Sequence, residues 1–154
     1  MRSLTRYLIA AVALPALIAQ APAPTPAKPA ATTPVPVAKP VVNMSQLMLT
    51  IIYPFSDALF YVEREAPKNE VEWLLLESKM LALAEVGNLL MSPVRSFNQE
   101  QWMRDAQLLV DVGAKAYKGA KARDLQSMID LNAELYESCQ SCHVHYRPGY
   151  RRRE

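Results

Sequence analysis

Asn69–Pro93 reads NEVEWLLLESKMLALAEVGNLLMSP, and its spacing decides the kind of structure to expect. Asn69 with Glu72 three residues later has the form of a capping box, a start signal for a helix. Apolar residues then return at Trp73, Leu76, Met80, Leu83, Ala84, Gly87 and Leu90, steps that put them on one side of an α-helix. Ser92-Pro93 closes the run, because a residue before proline is pushed out of helical backbone geometry. The helix is predicted over about 70 to 91.

The same grammar occurs three more times. Asn43 with Gln46 opens a helix predicted over 44–65, with Met44, Leu47, Met48, Ile51, Ile52, Phe55, Leu59 and Val62 as its stripe. Pro54 lies inside it and predicts a kink near Thr50 to Tyr53. Asn98 with Gln101 opens a third, over 99–118, with Trp102, Ala106, Leu109, Val110, Gly113, Ala116 and Tyr117; Gly119 is its expected stop. Asp124 caps a fourth over 125–147, carrying Leu125, Met128, Ile129, Leu135, Tyr136, Cys139, Cys142, His143 and Tyr146, with Pro148-Gly149 beyond. No stretch alternates apolar and polar residues as a half-buried strand does. Four helices of about 20 residues with short links predict an all-α protein, an antiparallel four-helix bundle.

Composition agrees. The chain has 154 residues, and seven of its 12 prolines fall between Pro22 and Pro40. Only four glycines are present, too little punctuation for an all-β sandwich or barrel. Neither GxGxxG nor GxxxxGK[ST] occurs, which excludes a Rossmann or P-loop domain. Charge is 17 Lys+Arg against 15 Asp+Glu, and is even once Arg2 and Arg6 are set aside. Such a balance gives no footprint for nucleic acid. The Arg151-Arg152-Arg153 run reads as a solvated tail, its sharper alternative being a docking patch for an acidic partner.

Residues 1–21 have the parts of a secretory signal peptide: Arg2 and Arg6, an apolar Tyr7–Ala19, and Ala19-Gln20-Ala21 as a cleavage pattern. At 13 residues the apolar part is short of the roughly 20 that span a bilayer, so contact with the membrane is expected only in transit. Residues 22–40 read as a Pro/Ala-rich disordered linker, semi-rigid and unable to bury a core. The domain is then 41–154, in an exported and periplasmic protein.

The chemistry is carried by Cys139-Gln140-Ser141-Cys142-His143. CxxCH is the attachment pattern of c-type haem. Each sulfur adds to one porphyrin vinyl group, and the adjacent imidazole reaches the iron. On a helix 139, 142 and 143 fall within an arc of roughly 100°, so all three face the same way. The cofactor predicted is one covalently attached haem c per chain, with His143 as proximal iron ligand. Tyr146 and Arg147 follow on that face as candidate propionate or pocket contacts.

Rival uses of the pair fit less well. A thioredoxin-type dithiol sits at a helix N-terminus within a βαβ fold, whereas this pair lies near a helix C-terminus. Zinc would need all of Cys139, Cys142, His143 and His145, a cramped set. A disulfide would close a very small loop. His145 lies about 200° from His143 around the helix and is expected to be exposed.

With CxxCH on the last of four helices, the chain resembles the class II cytochromes c, the cytochrome c′ type family. Cys139 to Arg147 is similar to that family's C-terminal CxxCHxxYR pattern, and the likeness covers 43–148 as architecture. The resemblance implies that the first helix supplies the distal side of the haem, in some members with a methionine as sixth ligand. It points to Met48, with Met44 as the alternative; each taken alone reads as an ordinary core methionine. It also implies that a homodimer can form.

Lesser expectations concern the remaining polar, small and aromatic residues. Glu85 and Asn88 are either haem-orienting groups or part of a solvated face. Gly87 and Gly113 allow close backbone approach, and Trp73, Trp102, Tyr117 and Tyr136 are read as core or pocket walls. The function expected is electron transfer with periplasmic redox proteins. The alternative is a five-coordinate haem protein that binds nitric oxide or carbon monoxide. No enzyme is predicted, since both histidines lie on the last helix and leave no distal proton donor.

Overall fold

The computed structural model describes residues 38–97, 100–147 and 149–150. The expected signal peptide, nearly all of the expected linker, Asn98 of the third capping box, Pro148 and the Arg151–Arg153 run lie outside the described residues. By internal contacts the chain divides into Met1–Pro36 and Val37–Glu154, and the described residues belong to the second unit. Within it the structure is all-helical, with no strand among the described residues. No described helix is long and apolar enough to cross a membrane.

The helices are α1 (Met44–Leu47), a π-helical turn (Met48–Ile52), α2 (Tyr53–Phe60), α3 (Glu70–Leu90), α4 (Gln101–Ala122), α5 (Leu125–Ile129) and α6 (Asn132–Tyr146). α3 and α4 form the most extensive pairing, α4 also carries α6 and α5, and α2 borders α3, α5 and α6. Leu47, Leu59, Met80, Leu83, Trp102, Val112, Ala116, Met128 and Leu135 make the fully buried centre. Most of the predicted stripe positions are therefore interior. Tyr136 is the exception, at 49% exposed, and is no pocket wall.

Three N-caps form as the sequence predicts, at Asn43, Asn69 and Asp124. The Asn43 side chain accepts from Gln46 N–H at 2.9 Å, and the Gln46 side chain accepts from Asn43 N–H at 3.1 Å. Asn69 accepts from Glu72 N–H at 3.0 Å, while Glu72 reaches one residue further back, accepting from Lys68 N–H at 2.7 Å. The N-cap of α4 is Glu100, without a side-chain hydrogen bond. Asp124 caps α5 through Ser127 N–H at 3.1 Å.

The boundaries differ instructively from those predicted. Around Pro54 the distortion takes the form of the π turn: Tyr53 N–H bonds to Met48 O, five residues back. Pro54 has no N–H to give Thr50 and its ring crowds that carbonyl, so the wider turn relieves both problems. The first helical segment ends at Phe60 rather than 65, where Val62 N–H tightens onto Leu59 O at 3.2 Å. Gly119 does not stop α4. The helix runs to Ala122 and ends on Arg123, which takes the left-handed conformation, φ 58°, held by Glu70 at 3.0 Å and Glu77 at 3.1 Å. Gly119 instead makes room for α5: a Cβ there would lie 2.8 Å from Met128 Cγ. The predicted fourth helix is split at Asp130–Leu131, where the Asn132 amide donates to Ile129 O at 3.1 Å and takes a carbonyl the helix would use.

Gly87 and Gly113 serve helix packing. A Cβ on Gly113 would lie 2.7 Å from Ala84 N and 2.8 Å from its Cα, so the two helix backbones touch. Outside this contact α3 stays apolar: Val71, Leu74, Leu75, Leu81 and Leu89 are exposed. Gly113→Ala is expected to destabilise the protein by about 1–3 kcal/mol, because backbone atoms cannot yield as a side-chain tip can. That loss exceeds the gain of about 1 kcal/mol in helix propensity. Urea unfolding measures it; an unchanged or raised midpoint would contradict the backbone contact.

Candidate functional site

The site is built on the last three turns of α6, whose inner side α4 and α2 border. Leu135 and Ser138 are buried, and Cys139, Cys142 and Tyr146 pack half-buried against the core. Both cysteines are free thiols. His143 is half-buried, its ring 5.3 Å from that of Tyr150. The predicted Cys139, Cys142, His143, Tyr146 and Arg147 thus stand together. Met44 and Met48 are half-buried against the core from the first helical segment, whose π turn borders α3.

Burial sets the protonation states. The Cys139 thiol is pushed up by loss of water, against a smaller downward pull from a Ser138 hydrogen bond. Cys142 is pushed up to about 12, first by burial, then by the Asp105 carboxylate and by Cys139. His143 is pulled below the usual histidine range by burial, then by the Arg147 guanidinium. All three are neutral near pH 7. A neutral imidazole has the lone pair a metal needs, whereas a thiol held so high is a poor redox nucleophile.

Asp105 is the residue sequence reasoning passed over. It is 3% exposed, with its Oδ1 accepting from Gln101 Nε2 at 2.9 Å and its Oδ2 lying 2.9 Å from His145 Nδ1. His145 is exposed, as expected, yet it also ties α6 to α4 through this carboxylate. The signal was available: Asp105 falls between Trp102 and Leu109 on the inward stripe of α4. Beside it Trp102 donates to Leu90 O at 2.6 Å and meets Tyr146 edge-on at 4.8 Å. Phe97 stacks on Tyr146 at 5.7 Å, which makes Tyr146 a wall. Arg147 is exposed, its guanidinium 5.8 Å from the Tyr150 ring centre. Glu85 and Asn88 are exposed and bond each other at 3.4 Å, a solvated face.

Among the described residues no group of three or more His, Cys, Asp or Glu side chains is placed to hold a metal ion. A porphyrin asks for something else: two thiols one turn apart on an inward face, a neutral imidazole beside them and apolar surroundings. Those residues fit it. Among the described residues two buried side-chain polar atoms, Ser56 Oγ and Arg95 Nε, have no hydrogen-bond partner. No protein-family model, curated protein or solved structure matches the chain.

In the folded chain, iodoacetamide at pH 8 is expected to alkylate Cys142 on the order of a hundredfold or more slower than an ordinary thiol. The rate should climb only as pH approaches about 12. Because the unfolded thiol ionises near its ordinary value of 9.0 while the folded one stays neutral, folded stability should fall as pH rises between those values. Alkylation at the free-thiol rate in the folded chain would contradict the burial of Cys142.

Proposed function

We propose that this chain is a periplasmic c-type cytochrome that carries electrons. The observation that supports it most directly is the placement of Cys139, Cys142 and His143, neutral and half-buried, on one inward face of α6. In this reading Cys139 and Cys142 would hold the porphyrin through two thioethers, each sulfur and its hydrogen adding across one vinyl group, and His143 would be the protein ligand to the iron. Bound haem supplies a one-electron ferric–ferrous couple. Trp102, Leu135 and Tyr146 keep water from that side, and the packed helices limit rearrangement when charge changes.

The finer architecture belongs to the same proposal. Taking α1, the π turn and α2 as one arm, and α5 with α6 as another, gives four arms. Arranged antiparallel, they make the four-helix bundle of the class II cytochromes c that the sequence resembles. Residues 1–21 act as the export signal and 22–40 as the linker, and the partners are redox proteins of the periplasm. Met48 is the favoured distal ligand, with Met44 second. Met48 opens the π turn, and such turns are frequent at functional sites.

Production with a haem-attachment system, followed by intact mass and a pyridine haemochrome spectrum, tests the proposal. The wild type should carry one porphyrin, and Cys139→Ser/Cys142→Ser none. A colourless wild type with the mass of the bare polypeptide defeats it. His143→Ala should keep the thioethers and lose the wild-type spin state. Met48→Ala should turn a low-spin spectrum high-spin and admit carbon monoxide. If Met48→Ala and Met44→Ala both leave a high-spin, carbon monoxide-binding spectrum unaltered, the function is gas binding at a five-coordinate iron.

A further inference from the structure

Arg95 lies in the link between α3 and α4, where no helical periodicity signals a role. Its Nη1 donates to Val42 O at 3.3 Å, and its Nε is buried without a partner. Among the described residues Arg64, Arg104 and Arg123 each have a carboxylate within ion-pair distance, and Arg95 has none. A guanidinium drawn partly out of water without a counter-charge is costly, and such a cation is ordinarily paired.

The surroundings say what would pair with it. Phe97, two residues on, stacks on Tyr146 at 5.7 Å and tilts onto Trp102 at 5.0 Å. Tyr146 follows Cys142 and His143 by about one turn of α6. Arg95 therefore sits at the end of the molecule that carries the CxxCH site. With Nη1 turned to Val42, the unpartnered Nε is the donor left to an anion, and a guanidinium edge of Nε and a terminal nitrogen matches the two oxygens of a carboxylate.

We propose that Arg95 is the carboxylate-binding residue of the porphyrin site, its Nε edge taking a propionate of the group attached at Cys139 and Cys142. The inference rests on the haem reading and adds a ligand contact to it from the opposite side of the sequence. A fixed positive charge there favours ferrous over ferric iron and neutralises the propionate, so its removal moves the reduction equilibrium toward ferric.

The test uses holoprotein, in the wild type, Arg95→Gln, Arg95→Lys and Arg104→Gln. Arg95→Gln is expected to retain haem by mass and the wild-type absorption bands, with its reduction equilibrium shifted at least about threefold toward ferric. Arg95→Lys should recover most of that shift, and Arg104→Gln, an exposed cation already paired with Glu100, should show little. Should Arg95→Gln not fold, nitrogen-15 NMR of the wild type decides. The Arg95 Nε–H resonance should lie further downfield in the ferrous holoprotein, bonded to a carboxylate, than in the haem-free Cys139→Ser/Cys142→Ser chain, where Nε is buried without a partner. Haem retained with an unshifted equilibrium, or an equal Nε–H shift with and without haem, overturns the role of Arg95 alone. A wild type lacking porphyrin overturns the haem reading as well.

Discussion

The contact between the backbones of α3 and α4 is the constraint on which the other placements rest. At Gly113 and Ala84 no side chain separates the two helices, and at Gly87 only the tip and backbone of Val110 come close. Helices that meet so nearly have little freedom to slide or roll. α4 then has a fixed inner side, and from it Trp102 and Asp105 reach out to seat α6 through Tyr146 and His145. The orientation of the cysteines is thus inherited from a helix pair that contains none of the chemistry.

Electrostatics reinforce that seating. The interior beside α6 disfavours charge, keeping the thiols protonated and the imidazole neutral, while it tolerates one carboxylate, Asp105, held by Gln101 and His145. The arrangement is self-consistent. The same negative group that helps seat the helix discourages ionisation of its neighbour Cys142, so the pair stays in the protonated form, which is poorly suited to disulfide exchange.

Local physics made much of this legible in the sequence. The caps at Asn43 and Asn69 need only neighbours three residues away, and the inward arc of Cys139, Cys142 and His143 needs only the helical period. Gly119 was misread because a left-handed helix end is a glycine habit, whereas here Arg123 adopts it with help from glutamates distant in the chain. The break before Asn132 depends on a side chain competing for a carbonyl, which periodicity does not register. Asp105 was visible in the stripe of α4 but carries no motif. Arg95 was not legible at all, since a buried Nε without a partner is a product of packing and leaves no trace in the pattern of residues.

The corner at Arg123 has a consequence for the motif it never touches. Its guanidinium grips Glu70, 53 positions earlier, so the start of the final segment is clocked against α3. Adding or deleting one residue inside α6, between Asn132 and Cys139, would rotate the sulfur pair by about 100° relative to the start of that helix. The five letters of CxxCH would survive such an edit untouched while their aim was lost. Spacing from the corner, as much as the motif itself, specifies what those sulfurs can reach.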